Sequence, residues 1–353
     1  MLSVPLTRLL LIFESRLASH IARWDLDKTY LRTEFDTLRD MVTTALERPD
    51  QKRTNPGAST LLREMVRAGI RVHILSGSPE QMRRRLEDKL RLDGVTWDTF
   101  TLKPNLQNLL RLRFRAMRDQ LGYKLPALLG ARAALPAVPE GEDLPRETLF
   151  GDDAEADAYV YSLYADVLAG RVAEDMLLRI LQRGRLYDDM VASSLASART
   201  LGRGDVVERI LIHLERQTPP DDFRTYGPRI VPFYNYLQAA FVLHEDARLG
   251  PDAVIRVAVE LVAEHRFDGD ALVRSYQELG RRGHLRGACV DALGAALTNW
   301  IVQDGLPASA ELRVLVERLP GLAAGARTRF RDDAQPLPDY VNLVAAHNAR
   351  TRN

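Results

Sequence analysis

Over roughly the first half of the chain, short apolar runs alternate with longer stretches whose apolar residues recur at helical spacing. Runs at 19–24, 70–75, 99–102 and 147–150 read as strands. The first is less apolar than a buried parallel strand usually is, because His20 and Arg23 interrupt it. Between these runs the spacing predicts a polar helix at about 33–47 and a helix opened by Pro56-Gly57. The second of these carries Leu61, Leu62, Met65 and Val66 on one face and has Gly69 as its C′ residue. Further helices are expected up to Leu92, at about 106–121 (strongly basic), and at 125–134, headed by Lys124. A strand that follows a helix after so short a turn as Gly69 predicts βαβ units and a parallel sheet. Past a loop at 136–146 and the run at 147–150, a helix at about 155–171 closes this part. Beyond it only helices are predicted, at about 173–183, 186–201, 205–217, 229–246, 251–266, 270–281, 285–302 and 309–318, punctuated by Gly and Pro. No fixed period marks a repeat family. The expected organisation is an α/β domain over 1–171, an all-helical domain over 172–330 and a loosely attached tail over 331–353.

Composition narrows the class without naming a function. The 353 residues are 46% hydrophobic and 27% charged, as in a soluble globular protein, and the formal net charge of +1 asks for neither nucleic acid nor an anionic membrane. One cysteine, Cys289, excludes an internal disulfide framework and a cysteine metal cluster. No apolar run has the length of a transmembrane helix. Residues 1–13 read as an amphipathic helix packed on the domain, with an interfacial membrane contact as the alternative. The expected location is the cytoplasm. Lysine occurs only at Lys28, Lys52, Lys89, Lys103 and Lys124, so an ammonium that survives among so many arginines marks a position where a compact charge is needed.

Candidate chemistry gathers at the ends of the strand runs. Trp24-Asp25-Leu26-Asp27-Lys28-Thr29 places two carboxylates one residue apart where open α/β sheets bind their ligands. Like charges held so close repel unless a cation neutralises them, and oxygen ligands alone suit Mg2+. Taken by itself, Asp-x-Asp is more often a surface turn. Ser76 ends the second run before Ser78-Pro79-Glu80-Gln81, which reads as a capped helix start, a good place for a phosphate oxygen. A lone Ser there is also an ordinary turn residue. The fourth run ends in Gly151-Asp152-Asp153 with Asp157 beyond, a cation site or an N-cap Asp on a solvated helix face. None of the seven histidines shows metal-ligand spacing.

In this order, apolar run–Asp-x-Asp-x-Thr, apolar run–Ser, Lys, apolar run–Gly-Asp-Asp, the chain resembles the haloacid dehalogenase-like phosphatases over residues 19–170. Within that superfamily it is most similar to the actin-patch-associated phosphatidate phosphatases and their bacterial relatives. Pro56-Gly57, Ser76-Gly77-Ser78-Pro79 and Gly151-Asp152-Asp153-Ala154-Glu155-Ala156-Asp157 carry that likeness. Asp153 and Ala156 stand where that family has Ser and His, and Arg23 lies inside the first strand, which puts a lipid substrate in doubt. The resemblance implies a Rossmannoid parallel sheet with helices on both faces, followed by an all-α region. It also implies a Mg2+-dependent phosphomonoesterase working through an aspartyl-phosphate. Asp25 would be the nucleophile and Asp27 the general acid and base, its carbonyl also ligating Mg2+. Asp152 would ligate Mg2+ with Asp25, and Asp157 and Asp153 would stand behind them. Ser76 would donate to a phosphoryl oxygen, and Lys124, in preference to Lys103, would neutralise nucleophile and phosphate.

Short inserts leave no room for a large cap, which suits a bulky phosphorylated substrate, and the helical region offers a surface for a protein or lipid partner. The competing reading is a catalytically silent phosphatase-like domain that serves with the helical region as an interaction platform. A third reading, nucleic-acid end processing, rests on basic residues at Arg83, Arg84, Arg85, Lys89, Arg91, Arg111, Arg113, Arg115 and Arg118, which a solvated arginine face explains as well.

Overall fold

The computed structural model describes residues 20–32, 52–103, 117–139, 141–304, 308–331 and 336–350. The helices expected at 1–13, at 33–47 and over the first part of 106–121 lie outside these residues. Among the described residues six strands form one all-parallel sheet: β1 (His20–Asp25), β2 (Arg71–Pro79), β3 (Thr99–Lys103), β4 (Arg146–Asp152), β5 (Val207–His213) and β6 (Ile230–Phe233). Their order is β3-β2-β1-β4-β5-β6, so the winding reverses between β1 and β4. That is the order of a doubly wound sheet, whose ligand crevice opens at the carboxyl ends of the strands on either side of the reversal.

Alternation along each strand divides the core into two layers. Ala22 and Trp24 of β1, Val72 and Ile74 of β2 and Phe150 of β4 face α1 (Ala58–Arg67) and α2 (Arg83–Leu92), the crossovers of the first half. Leu75, Leu149, Ile210 and Ile212 face α3 (Met117–Ala133) and α4 (Asp157–Leu168), together with α5 (Glu174–Arg183) and α6 (Asp188–Thr200). Helix α1 is amphipathic as its spacing predicts: Leu61, Leu62 and Met65 are buried, each worth about 1.5–3 kcal/mol. The chain then returns to the first layer with α7 (Tyr236–Glu245), α8 (Pro251–His265), α9 (Gly269–Arg282), α10 (Val290–Asp304) and α11 (Ser309–Arg329), a C-terminal all-helical region that shares one core with α1 and α2.

Four readings of the sequence change. Segments 205–217 and 229–246, expected to be helical, hold β5 and β6, and only α7 of the second is helix. Val207, Ile210, Leu211 and Ile212 fit a buried strand as well as a helix, and pairing with β4 decides for the strand. Ser78 does not cap a helix: β2 runs on to Pro79, a 3₁₀ turn covers Glu80–Met82, and α2 starts at Arg83. Helix α11 extends to Arg329 through Pro320, well past the expected end at 318. Finally, α12 (Tyr340–Arg350) docks on the second layer: Tyr340 is buried, takes the Tyr159 hydroxyl on its carbonyl (2.9 Å) and donates its own to Asp166 (2.5 Å). Among the described residues no helix is long and apolar enough to cross a membrane. On α2, Arg83 pairs with Glu80 and Glu87, Lys89 with Asp93, and Arg91 with Glu87 and Asp88, so much of its basic charge is met within a turn.

The polar interruption in β1 is matched from β4. Arg23 forks onto Glu147 with two bonds of 2.7 Å, and Arg132 of α3 (3.0 Å) and the Tyr164 hydroxyl of α4 (2.8 Å) complete the set. Burial alone would raise the Glu147 pKa, but Arg23 and Arg132 outweigh it and hold the carboxyl at about 2. Against an ordinary value of 4.5, this depressed pKa adds stability that is complete above about pH 4.5 and is lost as pH falls towards 2. Glu147→Gln is therefore expected to cost about 3–5 kcal/mol in urea unfolding at pH 7, because it strands Arg23. It should also flatten the loss of stability between pH 4.5 and 2; a variant as acid-sensitive as the wild type would refute this account.

Candidate active site

Most of the site is carried by the carboxyl ends of β1, β4 and β2, and Lys124 reaches it from α3. Asp25 is the last residue of β1, and the chain turns at once: the Leu26 carbonyl accepts from the amides of Tyr30 (3.0 Å) and Leu31 (2.8 Å). Lys28 adopts the left-handed conformation (φ 61°), uncommon for a side chain with a Cβ. The turn is gripped from outside: Asn55 Nδ2 donates to the carbonyls of Lys28 (3.1 Å) and Thr29 (2.7 Å). The Tyr236 hydroxyl also donates to Thr29 (2.5 Å), and His213 Nδ1 lies 3.3 Å from the Lys28 carbonyl. Trp24 anchors the strand below, stacked between Phe150 (centroids 4.0 Å apart) and Tyr236 (5.8 Å).

Asp25, Asp152, Glu155 and Asp157 bring their carboxylate oxygens within 4.8 Å of one another. Lys124, fully buried on α3, answers them: its Nζ lies 3.1 Å from Asp25 Oδ1 and 2.8 Å from Glu155 Oε2, and it donates to Asp157 Oδ1. Thr29 donates to Asp25 Oδ2 (3.3 Å). Asp152 Oδ1 accepts from the amides of Ala154 (2.6 Å) and Glu155 (3.0 Å), which shapes the turn into α4, and Asp157 Oδ2 accepts from the Asp152 amide (3.1 Å). Gly151 makes this possible: a Cβ there would lie 2.6 Å from Asp157 Cβ.

Asp27 stands apart from the four acids. Its Oδ2 accepts from the hydroxyls of Ser76 and Ser78, both at 2.9 Å, and the Ser78 amide donates to Ser76 Oγ (3.0 Å). The Ser78 hydroxyl donates to the Asp27 carboxylate, and no amide of the following turn donates to its oxygen. Asp153, also expected beside a cation, turns away and accepts from the amides of Arg216 (2.8 Å) and Thr218 (2.9 Å) in the loop after β5. Lys103 ends β3 with its Nζ over the Tyr123 ring (5.1 Å), and Tyr123 in turn donates to the Ser76 carbonyl (2.8 Å); of the two candidate lysines, Lys124 is the one in contact with Asp25.

Burial and mutual repulsion push the acids up. Asp25 lies well above the usual carboxylate range through burial and then through Asp157, Glu155 and Asp152, with Lys124 opposing. Asp152 is raised by burial, Asp157 and Glu155. For Asp157 burial outweighs Lys124, and for Asp27 it outweighs the bonds from Ser76 and Ser78. Burial also works against the Lys124 charge, but Asp157, Asp25 and Glu155 hold the ammonium protonated. Burial brings His213 down to about 4, so it is neutral at physiological pH. One ammonium facing four acids leaves negative charge to be met. Among the described residues Asp152 Oδ2 is buried with no hydrogen-bond partner, and Asp25 Oδ1 has none beyond its ionic contact with Lys124. An oxygen-only set with orphaned buried oxygens fits a hard divalent cation.

Sequence reasoning missed Glu155, Ser78, Asn55, His213 and the hydroxyl of Tyr236. The first was visible in the alternating acids of Asp153-Ala154-Glu155-Ala156-Asp157. The others carry no local signal, since they reach the site from other parts of the chain. Comparison with protein-family models, with curated proteins and with solved structures finds no match. The parallel sheet with flanking helices and the acidic cluster at its switch point are consistent with a haloacid dehalogenase-like fold. Mg2+ is expected to raise the melting temperature of the wild type and not that of Asp152→Asn. The rise should shrink on acidification, because the raised carboxyls must ionise to ligate. An equal rise in both proteins would remove Asp152 from the cation site.

Proposed function

We propose that the protein is a Mg2+-dependent phosphomonoesterase that works through an aspartyl-phosphate on Asp25 and acts on a bulky phosphorylated substrate. The observation that carries this reading is the contact of a fully buried lysine, Lys124, with an aspartate at the strand end, beside two further buried acids and a serine-held Asp27. A structural ion pair has no use for the surplus negative charge, whereas phosphoryl transfer needs a nucleophile, a cation and a separate proton donor close together.

In this reading Asp25 attacks phosphorus in line. The bond from phosphorus to the ester oxygen breaks as that oxygen takes a proton from Asp27. Asp27 suits the task because burial raises its pKa, which favours the protonated form that a general acid needs. Water then attacks the phosphorus of the aspartyl-phosphate, gives its proton to Asp27, and frees phosphate and Asp25. Ser76 and Ser78 hold the Asp27 carboxyl in one orientation. Lys124 balances the charge of Asp25 before transfer and of the phosphoryl group after it. Asp25 and Asp152, with the Asp27 carbonyl, would hold Mg2+, which supplies charge neutralisation at the phosphoryl oxygens.

Hydrolysis of 4-nitrophenyl phosphate tests this. Asp25→Asn is expected to abolish turnover. Asp27→Asn should lower kcat by about 10²–10⁴-fold for an alkyl phosphate and less for the aryl ester, whose leaving group needs no proton. Full activity in Asp25→Asn, or an equal loss on both esters in Asp27→Asn, would overturn the assignment.

A further inference from the structure

At the opposite end of the sheet from the acidic site lies a cavity of about 720 Å³. It opens beneath the amino ends of β4, β5 and β6, where Arg146, Val207 and Arg229 form part of its wall. Its volume lies in the range of small-molecule pockets, and its charge is the reverse of the active site's. Among the described residues six guanidiniums and four carboxylates line it, an excess of two positive charges in that part of the wall.

The pairing inside the wall explains how that excess is held. Three of the four carboxylates are each shared between two arginines, and Asp205 pairs, among the described residues, with Arg229 alone (2.5 Å). Asp166 lies 3.0 Å from Arg171 and 3.9 Å from Arg229. Asp246 accepts a fork from Arg209 (2.6 and 2.8 Å) and a further bond from Arg286 (3.3 Å). Glu208 is divided between Arg146 (3.5 Å) and Arg248 behind the wall. Arg331 is exposed and makes no ion pair among the described residues. Each guanidinium carries five N–H donors, so sharing leaves donors unspent on every side of the cavity. The shared acids fix the forks in place, so a ligand need not order them.

We propose that this cavity binds a small polyphosphate, a ligand with several phosphate groups and no more than about nucleotide size. A single anion would meet only one side of the wall. Several phosphates could engage Arg146, Arg209 and Arg229 on the sheet side together with Arg286 and Arg331 on the helical side, in the bidentate geometry that guanidinium and phosphate share. The site is independent of the acidic one, since the two lie at opposite ends of the strands.

Calorimetric titration of the full chain with inorganic tripolyphosphate and with ADP, in EDTA, tests the proposal. Arg286→Gln with Arg331→Gln removes two cations while Asp246 keeps its fork from Arg209, so the wall should survive; circular dichroism checks that it does. The expected result is one binding site that weakens with salt, weakens about tenfold or more in the double variant, and is unchanged in Asp25→Asn and in Arg179→Gln, an exposed arginine elsewhere. Tighter binding of ADP than of tripolyphosphate, or the reverse, supports the site and tells whether the rest of the nucleotide is read. Binding of neither probe, equal binding in the double variant, or loss in Asp25→Asn with retention in the double variant overturns it.

Discussion

The contact between Lys124 and Asp25 is the interaction on which the rest of the arrangement depends. A buried ion costs several kcal/mol to desolvate, and this ammonium is fully buried. It persists because three acids surround it, and those acids can crowd together only because it is there. Geometry follows from that mutual need. Gly151 must lack a Cβ so that Asp157 can approach, α3 must bring Lys124 over the end of β1, and Asp152 must spend one oxygen on the turn into α4.

Buried charge takes two forms in this protein, and their difference separates structure from chemistry. Around Glu147, one carboxylate meets two guanidiniums and a phenol, every oxygen is matched, and the pKa falls to about 2. At the strand ends, one ammonium meets several acids, oxygens are left over, and the pKa values of Asp25 and Asp152 rise. The first set completes itself and ties β1 to β4. The second leaves buried oxygens unmatched and can accept a further positive charge. Both lie on the same face of the sheet along β1, two residues apart at Arg23 and Asp25, so the rigid network supports the unbalanced one.

The chain beyond the fourth strand belongs to the site as much as the motifs do. Strand β5 extends the sheet and sets His213 against the Lys28 carbonyl, its following loop takes up Asp153, and Tyr236 at the start of α7 both stacks on Trp24 and holds Thr29. An unusual left-handed residue in the turn between Asp25 and Thr29 is thereby held by groups from far along the chain.

The sequence by itself determined what is local. Alternation and Gly punctuation predict the first four strands and their crossover helices, because strand and helix periods are properties of neighbouring residues. Asp25, Asp27, Ser76, Asp152 and Asp157 stand out by their places at or just past the ends of those runs, and Lys124 through the family resemblance; the structure brings them to one end of the sheet. Tertiary structure alone decided the rest. Val207–His213 is strand and not helix because β4 offers it an unpaired edge, and that is a long-range fact. Arg23 is tolerated in a buried strand only because Glu147 arrives from a distant one. Ser78 leaves the helix start for Asp27, and Asp153 leaves the acid cluster for the 216–218 backbone, since the partners within a side chain's reach are set by the fold. Whether acidic residues balance or remain in surplus is settled in the same way, by which charges the folded chain brings together.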